Sequence, residues 1–145
     1  MYSVQKLKLT SIRGLLKTSN ILYKCGKDMA ARYDLHHWDN SHVKNWCIVA
    51  LCALKNDVYL VYDGDTAIAT FQTHTAEDSL LFQKLATLPE FSGKGVGSFC
   101  LEEIERLGRE KGLKRIICEV YDKSGHAMRF YEHKGYEVYG ETDTR

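Results

Sequence analysis

The sequence predicts a mixed α/β domain built on one central sheet, and two patterns carry that prediction. Asp57–Tyr62 and Thr66–Thr75 are apolar, β-rich runs joined by Asp63-Gly64-Asp65, which reads as a hairpin and therefore an antiparallel pair. From Ser79 onward the order is strand, helix, strand, helix, strand, which calls for a crossover connection and some parallel pairing. The 145 residues suit a single domain, 1–145, long enough to bury about two-thirds of its unfolded surface without disulfide or metal staples.

The elements follow in order. Tyr2–Leu9 alternates Val4, Leu7 and Leu9 with Gln5, Lys6 and Lys8, as a half-buried strand does. After Ser11, residues Ile12, Leu15, Leu16, Ile21 and Leu22 recur at helical spacing, predicting a helix to about Lys24 with Gly26 as its stop. Met29, Ala30 and Tyr33 suit a second helical piece. Asp34–Asn40 reads as a polar and aromatic loop, and Ser41 as the N-cap of a helix over His42–Ala53. Ser79–Leu88 is an apolar strand ended by Pro89, the only proline. The turn Ser92–Ser98 opens a helix with Val96, Cys100, Ile104 and Leu107 on one face and Glu102, Glu103, Arg106 and Arg109 on the other. Gly112 stops that helix. Lys114–Val120 is a strand, Ser124 caps a short helix whose apolar face is Ala127, Phe130 and Tyr131, Gly135 ends it, and Tyr136–Tyr139 is a last strand.

Composition excludes several classes. Lys and Arg total 20 against 19 Asp and Glu, a net charge of +1, which removes the basic field of a general nucleic-acid binder. The proportions, 44% apolar and 27% charged, are those of a globular chain rather than a disordered one. The longest apolar run, Trp46–Leu54, has nine residues, and a membrane span needs about 20. The opening Met-Tyr-Ser-Val-Gln-Lys lacks the apolar core of a signal peptide. Five cysteines, an odd number with no CxxC pair, read as free thiols of a reducing compartment, so the expected localisation is cytoplasmic.

Gly93, Gly95 and Gly97 fall at alternate positions between a strand and a helix. Glycine lets the backbone approach a ligand closely, and the first-turn amides of a helix are unpaired donors in a partial positive field. Together they make an anion site, most often for phosphate, to which Lys94 adds charge. A Walker A loop needs Gly-Lys-Ser/Thr, but Lys94 precedes Gly95. A dinucleotide fingerprint needs a third glycine where this chain has Cys100. On the residues alone, the turn is either an anion site or an ordinary sharp bend.

Leu85-Ala-Thr-Leu-Pro-Glu-Phe-Ser-Gly-Lys-Gly-Val-Gly97 resembles motif A of the GNAT superfamily of acetyl-CoA-dependent N-acetyltransferases: an apolar strand, a proline bend, then Q/R-x-x-G-x-G/A at a helix start. Gly95 and Gly97 match its glycines, and Ser92 stands where Arg or Gln is usual. Glu119–Tyr136 resembles motif B, N-x-x-A-x-x-x-Y-x-x-x-G-F/Y, with Ala127, Tyr131, Gly135 and Tyr136 in register and Ser124 in place of Asn. The resemblance implies the GNAT fold, a central mixed sheet with splayed fourth and fifth strands flanked by helices. It also implies direct transfer of the acetyl group of acetyl-CoA to a primary amine. A non-catalytic acyl-CoA-binding module of the same fold is the main alternative, and a nucleotide-binding switch on the glycine turn is a remoter one.

The resemblance assigns roles residue by residue. Backbone groups of Leu85, Ala86 and Thr87 would pair with the pantetheine arm. The stretch Ser92, Gly93, Lys94, Gly95, Val96, Gly97 and Ser98 would hold the pyrophosphate, with Ser124 and Phe130 as coenzyme neighbours. Tyr131 would be the general acid for a thiolate whose free pKa is about 8.5. An amine of pKa about 10.4 must lose a proton before it attacks. The candidate base is Glu119, with His74 at the hairpin's end and a water chain as alternatives; Gln83 cannot serve. Acceptor recognition falls to the loop holding Trp38 and His37, where an aromatic face with Asp34 or Asp39 suits a cationic amine; a packed loop anchored by Trp38 is the other reading of the same residues. The histidines there lack a second ligand cluster, so no metal is expected. The acceptor is a small molecule or a peptide amine: polyamine, aminoglycoside, amino acid, peptide N-terminus and lysine all remain open. The chain ends six residues past Tyr139, so a seventh strand is either absent or supplied by a partner, which leans toward a homodimer.

Overall fold

The computed structural model describes residues 1–34, 46–118, 120 and 125–137. The elements are β1 (Tyr2–Lys6), α1 (Ile12–Tyr33), α2 (Trp46–Lys55), β2 (Asp57–Asp63), β3 (Thr66–Ala76), β4 (Ser79–Thr87), a 3₁₀ turn (Pro89–Phe91), α3 (Val96–Glu110), β5 (Arg115–Cys118) and α4 (Gly125–His133). They form one sheet in the order β1-β2-β3-β4-β5. The first three pairings are antiparallel, and β4 with β5 is parallel. The mixed α/β sheet expected from the hairpin and the crossover is what the chain forms.

Alternation along the strands builds two cores. Tyr59, Val61, Phe71, Leu80 and Phe82 meet Val96, Cys100, Leu101 and Ile104 of α3. Leu60, Ala86 and Leu88 meet Ile21, Leu22 and Cys25 of α1 on the other face. Phe71 and Ile68 are fully buried; each such side chain contributes about 1.5–3 kcal/mol relative to exposure.

Three expectations are corrected. The first helix does not stop at Gly26. It runs unbroken from its N-cap, Ser11, whose hydroxyl accepts from the Gly14 N–H at 3.1 Å, to a C-cap at Asp34 in the left-handed region (φ 56°). A glycine inside a helix costs only about 1 kcal/mol, and Gly26 is buried on the packed face. Consequently Met29, Ala30 and Tyr33 belong to this same helix. The fifth strand is shorter than Lys114–Val120: it ends at Cys118, and Val120 is outside it. The stretch Tyr136–Glu137 is not a strand, and the rest of that predicted strand lies outside the described residues, as do Ser41 and His42.

The early end of β5 shapes the molecule. Pairing with β4 runs from Ser79↔Arg115 to Phe82↔Cys118, while β4 continues to Thr87. Among the described residues, one edge of β4 from Gln83 onward therefore has no β5 partner. This opening is the splay of the fourth and fifth strands.

Among the described residues, no helix is long and apolar enough to cross a membrane.

Candidate active site

Three elements converge at the splayed end of the sheet. The first is the glycine turn. Gly93 and Gly95 take φ of +77° and +79°, which L side chains resist, and nothing lies within 4 Å of where their β-carbons would stand. Gly95 is the N-cap of α3, and no side chain caps the helix. The first-turn N–H groups of Val96, Gly97 and Ser98 thus lack a side-chain acceptor and point into a loop kept open by glycine. The loop itself is fixed. The Tyr2 hydroxyl donates to the Lys94 carbonyl at 2.8 Å, and the Tyr2 ring meets Phe99 edge-on at 5.6 Å. Lys94 Nζ stands 5.4 Å over the Phe91 ring, and Ser92 is extended and exposed.

Gly97 does something different. A β-carbon there would come within 3.0 Å of Phe130 Cζ. Its lack of a side chain lets α4 approach α3, so the third glycine serves helix contact as well as offering an amide.

The second element is β4 beyond Phe82. Across β3 the register runs Thr70↔Ala86 and then Gln72↔Gln83, so β4 carries one extra residue, a bulge. Within it Lys84 has φ +53°, a left-handed conformation uncommon for a side-chain-bearing residue. Ala86 is buried against α1, Leu85 is partly buried on the other core, and the Thr87 carbonyl accepts from the Cys25 thiol at 3.0 Å. Lys84 Nζ lies 3.5 Å from Cys52 Sγ of α2. No sequence signal announced the bulge, because a strand's register is visible only once its partner is known.

The third element is α4. Tyr131 packs edge-on among Phe82 at 5.8 Å, Phe130 at 5.3 Å and Tyr136 at 5.9 Å. Burial, then the Cys118 thiol acting by charge and hydrogen bond, pushes the phenol's pKa above the ordinary tyrosine value. Tyr131 therefore holds its proton at neutral pH. Phe130 touches both Gly97 and Tyr131, so it joins the glycine turn to the phenol. Cys118 as the neighbour of Tyr131 was not foreseen; it follows from β5 ending there.

Of the residues singled out from the sequence, the structure brings together Gly97, Phe130 and Tyr131. It sets Ser92–Ser98 at the mouth of α3 and Leu85–Thr87 along the unpaired part of β4. Glu119, Ser124, Trp38 and His37 lie outside the described residues. His74 is exposed on β3 opposite Leu81, and with Asn56, Leu81, Phe82 and Gln83 it lines a cleft of about 160 Å³.

Comparison with known proteins accords with this geometry. Residues 55–138 match the sequence profile of the acetyltransferase (GNAT) domain. YxbD of Bacillus subtilis (strain 168), described only as an uncharacterized protein, is 27% identical over 122 residues, spanning 82% of this chain and 75% of its own. The PaiA N-acetyltransferase of Thermoplasma acidophilum, solved in complex with coenzyme A, shares the fold at a TM-score of 0.82 and 16% identity, over 99% of this chain and 93% of that one. The ribosomal-protein-S18-alanine N-acetyltransferase of Escherichia coli follows at 0.71 and 16%, over 93% and 77%. With more than half its length in that profile, this chain belongs to the GNAT acetyltransferase family.

Proposed function

We propose that the protein transfers the acetyl group of acetyl-CoA to a primary amine by direct attack within one ternary complex. The observation that carries this reading is the pairing of an uncapped helix N-terminus, opened by Gly93 and Gly95, with a half-buried, protonated Tyr131, the two joined through Phe130 on Gly97. An anion-binding cradle beside a proton donor is what a phosphate-bearing thioester requires.

The residues present fit that co-substrate. Amides of Val96, Gly97 and Ser98 and the loop of Ser92–Gly95 would take the pyrophosphate, with Lys94 adding charge. Backbone groups of Leu85, Ala86 and Thr87, on the edge of β4 that β5 leaves free, would pair with the pantetheine arm. In the chemical step the amine nitrogen bonds to the acetyl carbon and the carbon–sulfur bond breaks. The amine's proton goes to a base, for which Glu119, next in sequence after Cys118, is the candidate. Tyr131 gives its proton to the departing sulfur. A phenol above its ordinary pKa is a weak acid toward a solvated thiolate. Its hydrogen bond to the sulfur would strengthen as negative charge develops there. Trp38 and His37 are proposed to meet the acceptor.

The test is thiol release from acetyl-CoA across a panel of amines, with acetyl-CoA binding measured calorimetrically beside it. Amine-dependent release supports the enzyme. Binding without release from any amine assigns a non-catalytic acyl-CoA-binding module, and absence of binding overturns both.

A further inference from the structure

The 160 Å³ cleft on the α2 side of the sheet carries an unusual set of groups. Among the described residues its polar lining is Asn56, His74 and Gln83, without a carboxylate. Lys84 follows Gln83 at the bulge, and its ammonium is held by the Cys52 thiol at 3.5 Å. Cys52 is one helical turn from Asn56, whose N–H donates to the Cys52 carbonyl at 2.8 Å. Lys84 thus follows the lining residue Gln83 in β4, and its ammonium meets α2 one turn before the lining residue Asn56.

Two features of Lys84 lack a structural reason. Its side chain is half-buried, yet among the described residues no carboxylate lies within ion-pair distance of it. A thiol is a weak acceptor for an ammonium, and a partly desolvated charge without a counter-charge is costly. It also holds a left-handed backbone conformation at the bulge, and such strain persists where the surroundings enforce it, commonly at ligand sites. A carboxylate brought in by a ligand would remedy the first feature and use the second, since the bulge is what aims Lys84 at α2.

We infer that the acetyl acceptor is a small amine that also carries a carboxylate, which Lys84 binds, with Asn56, His74 and Gln83 lining the space for the rest of it. This rests on the acetyltransferase reading, which sets the thioester along Leu85–Thr87, directly after Lys84. One ammonium matches one carboxylate. A polycation would meet repulsion from Lys84 and find no acidic group among the described residues that line this cleft. The volume suits a compact acceptor: a cavity of about 150 Å³ holds a benzene ring.

The experiment uses matched amines differing only in a carboxylate: phenylalanine with phenethylamine, lysine with cadaverine, glutamate with 4-aminobutyrate. Thiol release gives kcat/KM for each. The carboxylated member, or for the last pair the dicarboxylate, is expected to lead by at least about tenfold. In Lys84→Gln that ratio collapses toward one, chiefly through acceptor KM, and Lys84→Arg restores part of it. Equal rates within the pairs, or a preference that survives Lys84→Gln, would overturn the inference. A second readout needs no turnover: the same pairs titrated onto the full-length protein, followed by NMR at His74 and Lys84. Saturable shifts with the carboxylated members alone, abolished by Lys84→Gln, support carboxylate binding by Lys84 even if acetyl-CoA fails to bind and the acetyltransferase reading falls. Shifts that ignore the carboxylate contradict it while leaving the acetyltransferase reading in place.

Discussion

Phe130 of α4 rests on Gly97 of α3 with its ring tip 3.0 Å from where a β-carbon would stand, and the same ring lies 5.3 Å from that of Tyr131. The spacing between the glycine turn and the proposed acid is thereby set by a side chain that is missing. In an exposed helix Gly→Ala gains about 1 kcal/mol. At position 97 that gain is expected to be cancelled or reversed, because Phe130 must move. Denaturant unfolding of Gly97→Ala should show no stabilisation, and Gly97→Ala with Phe130→Leu should recover about 1 kcal/mol relative to the sum of the single changes. The KM for acetyl-CoA rises in the single variant and falls back in the double.

Two thiols are sealed in the cores. Burial, reinforced by Asp28 and Glu90 for Cys25 and by Glu103 for Cys100, pushes both up to about 12. The unfolded chain releases these protons near pH 9, so above that the folded state binds more of them and stability falls as pH rises toward 12. Equilibrium unfolding from about pH 8 to 11 should show this decline, and Cys100→Ala should reduce its slope. An aromatic disulfide reagent should label Cys52 in the native protein, while Cys25 and Cys100 should react only on unfolding.

His126 stacks on Tyr33 with ring centroids 4.1 Å apart, linking α4 to the last turn of α1. Burial and then Arg129 lower its pKa, against an opposing pull from Asp28. A histidine lowered on folding binds fewer protons in the native state. Its contribution is present above about pH 6.5 and is lost as pH falls through the folded value. Melting temperature between pH 5 and 7 should drop on the acid side for the wild type and drop less for His126→Gln.

Lys84 offers a test of the bulge itself. A glycine accepts φ +53° without strain, whereas a β-branched residue there is a steric outlier. Lys84→Gly should keep or raise the melting temperature, and Lys84→Val should cost roughly 1–3 kcal/mol by chemical denaturation.

Much of this arrangement was legible in the sequence because it rests on local rules. The hairpin at Gly64 and the alternate glycines follow from spacing, and the Ala127–Tyr131–Gly135 register from the resemblance to motif B. The extent of α1 was not legible: Gly26 signals a stop by propensity, but packing of that face on the sheet outweighs a penalty of about 1 kcal/mol. Neither the Lys84 bulge nor the Cys118–Tyr131 contact has a local signature, since the first depends on the register of β4 on β3 and the second on how β5 and α4 pack. For the cleft, His74 and Gln83 were visible as residues on two strands, but their meeting with Asn56 and the cation of Lys84 depends on where α2 ends.

The most direct measurement is the single-turnover rate of acetyl transfer in Tyr131→Phe, with the melting temperature and acetyl-CoA affinity of the same variant recorded. If Tyr131 supplies the proton to the leaving sulfur, the rate falls by more than about tenfold, or roughly 1.4 kcal/mol in the barrier, while binding and melting stay near wild type. Because the phenol keeps its proton, the wild-type rate also shows no alkaline decline from this group up to about pH 10. A variant that turns over at the wild-type rate would contradict the account and leave Tyr131 as packing for Phe82 and Tyr136.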